Sequence, residues 1–66
     1  MKARQFFDVW ATCLKGVATA RAYPSMANGQ RALAVSEIAE RHGAEVGEKA
    51  GLLFDSLREG ARTALK

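Results

Sequence analysis

Few side chains in this 66-residue chain could do chemistry, and their spacing gives them little to do together. His42 is the only histidine and Cys13 the only cysteine. One thiol forms no internal disulfide, and one thiol with one imidazole falls short of the four ligands of a structural zinc site. Nucleophilic catalysis needs a hydroxyl or thiol beside a base that a third group orients. Ser25, Ser36 and Ser56 are scattered, and neither His42 nor Cys13 lies in a spacing that would gather such a triplet. Gly43, Gly47 and Gly51 follow no strand, and no Gly-Lys-Ser or Gly-Lys-Thr accompanies them, so a phosphate-cradling loop is not indicated. The expectation is a non-enzyme without metal or cofactor, in which His42 packs at the rim of a core and Cys13 serves as a small hydrophobe.

What positions these residues must be one small domain spanning 1–66. With 48% apolar and 26% charged residues the composition is globular, yet a chain this short buries only about 60% of its unfolded surface and is marginal alone. Such domains lean on close helix packing or on another chain. The net charge of +3 is unevenly placed: residues 2 to 21 hold Lys2, Arg4, Lys15 and Arg21 against Asp8, whereas residues 31 to 66 hold equal numbers of cations and anions. Lys2, Arg4, Lys15 and Arg21 are therefore the candidate nucleic-acid contacts, although interspersed charge of this size also suits an ordinary solvated surface. No apolar run reaches membrane-spanning length, and Asp8 interrupts the order of a signal peptide, which makes the cytoplasm the expected address.

Tyr23-Pro24-Ser25-Met26-Ala27-Asn28-Gly29 is the one strong breaker cluster. On either side the chain is rich in Ala, Leu, Glu, Arg and Lys without period-two alternation, which predicts an all-α protein. The first helix is expected over about 3–22. Phe6, Phe7, Trp10, Cys13, Leu14 and Val17 recur there at steps of three and four, and a small domain needs such bulky residues for its core. The same aromatic and basic residues would alternatively suit a helix lying in a membrane interface.

The second arm admits two readings. Glu37, Arg41, Glu45 and Lys49 alternate in sign at steps of four, a ladder of pairs worth about 0.2–0.5 kcal/mol each. Together with an unbroken apolar phase from Val35 through Val46 to Leu57, this favours one long helix over about 31–65, running through Gly43. Alternatively, Ser36-Glu37-Ile38-Ala39-Glu40-Arg41-His42-Gly43 resembles the first helix and turn of a bacterial helix-turn-helix, which implies three helices, a turn at Gly43 and DNA binding. The segment that would then read bases, Ala44 to Gly51, offers two glutamates and two glycines against one lysine, a poor surface for a polyanion.

Ala39, Gly43, Gly47 and Gly51 form a small-residue stripe at steps of four. Glycines inside a helix cost about 0.8–1.0 kcal/mol each relative to alanine, so close approach of another helix is the expected return. Folding the chain back at the breaker sets Trp10 opposite His42 and Gly43, and Phe6 opposite Val46 and Gly47. A long helix would then overhang the first, leaving Leu52, Leu53, Phe54, Leu57 and Ala61 uncovered as an oligomer or partner interface. The expected molecule is a helical hairpin that dimerises into a four-helix bundle. It would serve as a small interaction or regulatory protein for a larger protein partner, with DNA binding or membrane-surface attachment as alternatives.

Overall fold

The computed structural model describes the backbone of residues 2–64 and the side chains of residues 2–60. Helix α1 runs Ala3–Ala22, a short 3-10 turn follows at Pro24–Met26, α2 runs Ala27–His42 and α3 runs Ala44–Ala64. The first helix begins where the Lys2 N–H donates to Gln5 Oε1 at 3.0 Å, half of a capping box. It ends where the Tyr23 N–H donates to Thr19 O at 2.8 Å and Pro24, which has no N–H to give, starts the next turn.

Three helices replace the expected hairpin, and this is a correction: α2 starts at Ala27, and the long helix is interrupted at Gly43. Gly43 lies at φ +96°, ψ +163°, a region open essentially to glycine alone. Its N–H closes α2 on Ala39 O at 2.9 Å, and its carbonyl accepts the Gly47 N–H at 3.0 Å to open α3. The charge ladder does not survive the turn. Glu37 and Arg41 keep their pair at 3.1 Å, but Arg41 also reaches across to Asp8 in α1. Magnitudes explain the outcome. The one surface pair that spans the turn, Arg41–Glu45, is worth about 0.2–0.5 kcal/mol, whereas burying one large apolar side chain contributes about 1.5–3 kcal/mol.

The register between α2 and α3 mirrors about Gly43. A Cβ added at Gly47 would lie 2.8 Å from Ala39 Cβ and 3.1 Å from Val35 O; one at Gly51 would lie 3.2 Å from Val35 Cγ2. Farther from the turn, Arg31 forks onto Asp55, Nε to Oδ1 at 2.8 Å and Nη2 to Oδ2 at 3.0 Å. The two helices are thus antiparallel, and Gly47 and Gly51 of α3 lie against Ala39 and Val35 of α2, not against Phe6 and Trp10 of α1. The aromatic knobs assigned to that flank are absent from it because α2 already occupies it.

Helix α1 packs parallel to α3 and antiparallel to α2, completing an up-down-up bundle. Its Cys13 Sγ donates to Ala50 O at 3.3 Å, and Gly16 leaves space for Phe54, whose Cε2 would meet an added Cβ at 2.8 Å. The core is Val9, Cys13, Val17, Ala34, Ile38, Ala50 and Phe54, with Val46, Leu53 and Leu57 packed against it. Here the overhang is also corrected. Phe54 is fully buried within one chain, and Leu53 and Leu57 are partly covered, because the turn at Gly43 folds α3 back alongside α1. Leu52 remains exposed, and the Ala61 side chain lies outside the described residues.

Candidate interaction surface

Helix α1 is apolar on two faces, and the structure buries the one with the smaller side chains. Val9, Cys13, Gly16, Val17 and Ala20 point inward. Phe6, Phe7, Trp10 and Leu14 stand outward at 51%, 70%, 41% and 40% exposure, within an arc of roughly 100° on the helix. Small residues win the inner face because α1 must approach both other helices closely, and Phe54 takes the volume that a large α1 residue would have filled. The core assignment of Phe6, Phe7, Trp10 and Leu14 is therefore corrected, while that of Cys13 and Val17 agrees with the structure.

The cations of α1 sit around this face. Lys2, Arg4, Lys15 and Arg21 are all exposed, and none has an ion pair among the described residues. Arg4 and Lys15, eleven residues and close to three turns apart, flank one edge of the outer face, and Arg21, eleven residues on from Trp10, falls within its arc, whereas Lys2 precedes the helix as its N-cap. The single acid of the helix is occupied: Asp8 Oδ1 accepts from Arg41 Nη1 at 2.8 Å, and Oδ2 pairs with His42 Nε2 at 2.7 Å. The outer side of α1 therefore carries its positive charge without compensation.

The Asp8 cluster is the nearest approach to a catalytic constellation. Arg41 Nη2 also contacts Thr12 Oγ1 at 3.5 Å, and His42 is part-buried at the α1–α2 seam. A carboxylate orienting an imidazole is two-thirds of a hydrolytic triad, but among the described residues no hydroxyl or thiol is bonded to the ring. What the arrangement does is tie the end of α2 to the start of α1. The Cys13 thiol is pushed up from its ordinary pKa by burial and donates to a carbonyl, the state of an unreactive sulfur. Among the described residues no three His, Cys, Asp or Glu side chains gather as metal ligands. An open groove between α1 and α2, with Gly16 and Ala34 at its floor, is walled by Lys15, Leu33 and Glu37. Of its two cations, Arg41 is already committed to Asp8 and Glu37, and Lys15 is exposed at its rim.

Of the residues singled out in the sequence, the structure brings Ala39 and Gly47 together, places Gly51 one turn on beside Val35, and gives Gly43 the turn. Phe6 and Trp10 stand on a different surface. Leu53, Phe54 and Leu57 belong to the internal core and its flank. Sequence reasoning passed over Phe7 and Leu14 as surface residues and Asp8 as a cross-helix anchor. A signal for the first was present: Gly16 and Ala20 lie at helical spacing from Val9 and Cys13 and mark a second, thinner face. No helix among the described residues is long and apolar enough to cross a membrane. No family model matches the chain, and no curated protein or solved structure matches it significantly.

Proposed function

We propose that this chain is a non-catalytic helical binding module whose working surface is the outer face of α1. One observation carries the reading: the bundle closes its core with Val9, Cys13, Val17 and Phe54, while Phe6, Phe7, Trp10 and Leu14 are left in water on one helix face. Single exposed apolar residues are ordinary, but a contiguous group of four, three of them aromatic, is the composition of a contact surface. Self-association through Leu53, Phe54 and Leu57 loses its warrant, since Phe54 is satisfied internally. DNA reading by α3 loses support as well, because α3 lies flat and antiparallel against α2 and Lys2, Arg4, Lys15 and Arg21 do not line one face.

The test compares wild type with a Phe7→Glu, Leu14→Glu double variant, both attached to beads and exposed to whole-cell lysate with its membranes, with and without nuclease. The reading expects the variant to keep its helix content by circular dichroism and to lose the material that the wild type retains after nuclease. Identical retention by the two proteins would refute it, and retention abolished by nuclease would move the function to nucleic acid.

A further inference from the structure

We infer that the outer face of α1 seats on an anionic lipid surface, with α1 lying in the plane of the interface. This rests on the binding-module reading and names its partner. Three features of the face select lipid over its rivals. The first is charge: the net positive charge of the chain resides in the α1 segment, where Lys2, Arg4, Lys15 and Arg21 are exposed and unpaired among the described residues. Asp8, the acid that would repel an anionic surface, is turned into the α2 seam and held by Arg41 and His42.

The second is shape. Phe6, Phe7, Trp10 and Leu14 form the convex ridge of a single helix, whereas the groove beside α1 lies toward α2 and is lined by Lys15, Glu37 and Arg41. A peptide helix needs a groove to bind in, and a fluid interface accepts a convex ridge. The third is symmetry. A second copy docked antiparallel about a two-fold axis would set the Arg4–Lys15 edge against its own copy. A parallel pairing would bring the two Lys2 and Arg4 ends side by side. Like charges meet in both, while anionic headgroups neutralise them in either orientation. The residue types fit the same place, since Trp and Phe settle at the boundary between headgroups and acyl chains.

Trp10 is the only tryptophan, so the intact chain reports its own seating. Its emission and co-flotation are measured with vesicles of phosphatidylcholine alone and of phosphatidylcholine mixed with phosphatidylserine. The expected result is a blue shift and flotation with the mixed vesicles only, reversed near 1 M salt, where the screening length falls to about 3 Å. Arg4→Gln and Lys15→Gln should each weaken partition about fivefold. Phe7→Glu should weaken it tenfold or more, with helix content retained in every variant. Three results overturn the inference. One is no partition into phosphatidylserine vesicles at physiological salt, and another is equal partition into neutral ones. The third is a blue shift that grows with protein concentration without vesicles as the sedimenting mass doubles; it leaves the binding face standing with a second copy as its occupant. Identical lysate retention by the wild type and the Phe7→Glu, Leu14→Glu variant would instead remove the binding-module reading itself.

Discussion

The seam between α2 and α3 and the outer face of α1 are both unusual stretches of helix surface, and they are unusual in opposite ways. The seam is emptied of side chains: Gly47 and Gly51 bring the backbones together, and the exposed Arg31–Asp55 fork closes the open end of the hairpin. The outer face is crowded with them, and the described chain leaves Phe7 70% and Leu14 40% exposed. Helix α2 answers every gap in the seam, so its glycines, each costing about 0.8–1.0 kcal/mol of helix propensity, are offset inside the same molecule. The outer face carries apolar area whose burial would be favourable, and the fold leaves that contribution unrealised. One surface is completed by folding, and the other is left open by it.

The largest test of this contrast is Phe54→Ala. Phe54 is fully buried and occupies the space above Gly16, so its truncation should cost about 3–5 kcal/mol. A domain this small has stability of that order to lose, and its far-ultraviolet circular dichroism should report an unfolded chain at room temperature. A folded variant melting within a few degrees of wild type would mean that the core is closed by other residues.

Next in size is Gly47→Ala, where the new methyl meets Ala39 Cβ at 2.8 Å and the Val35 carbonyl at 3.1 Å. Neither contact is the far end of a flexible side chain, so the seam must open, at a cost of about 1–3 kcal/mol in chemical denaturation. Gly60→Ala is the control, because nothing lies within 4 Å of its added Cβ. There the ordinary helix preference should appear as a gain of up to about 1 kcal/mol. Equal responses at the two sites would break the distinction between a packed and an open glycine.

How much of this could be read from residues alone follows the same division. All-α character, the start and end of α1 and the breaker at Pro24 were legible because they depend on local signals. The small-residue stripe was legible as a close-approach surface, but its partner was not, since Ala39, Gly47 and Gly51 fold onto their own segment around Gly43. Glycine in mid-helix and glycine at a turn look alike in sequence. The charge ladder Glu37, Arg41, Glu45, Lys49 pointed to continuity, and a long-range gain outweighed it. Which face of α1 turns inward depends on the thickness available between α2 and α3, a property of the assembled bundle. Periodicity marks both faces as apolar and does not rank them.

The end of the seam offers a smaller effect with a definite sign. Hydrogen bonds from the Arg31 guanidinium hold the Asp55 carboxyl below its ordinary pKa. A carboxyl depressed in the folded state contributes stability above its unfolded pKa, near 3.9, and loses it as pH falls through the lower folded value. Asp55→Asn should therefore melt slightly below wild type at neutral pH, and the two should converge between about pH 4 and pH 2. Both side chains are about half exposed, so the gap should also narrow in high salt. A gap that is constant across this pH range would assign the loss to packing.

The smallest expected effect on stability is Phe7→Glu, and it bears most directly on what the outer face is for. Phe7 is 70% exposed, the most of the four, so removing its ring takes little from the core. The site lies one turn from Arg4, which a carboxylate there meets at i,i+3 on the helix surface. The free energy of unfolding should change by no more than about 0.5 kcal/mol, in either direction. Phe54→Ala and Phe7→Glu both remove a phenylalanine, yet the first should abolish the fold and the second should leave it intact while weakening vesicle partition tenfold or more. A stability loss above about 2 kcal/mol for Phe7→Glu would show that the aromatic face supports the bundle itself. The two surfaces would then be parts of one core.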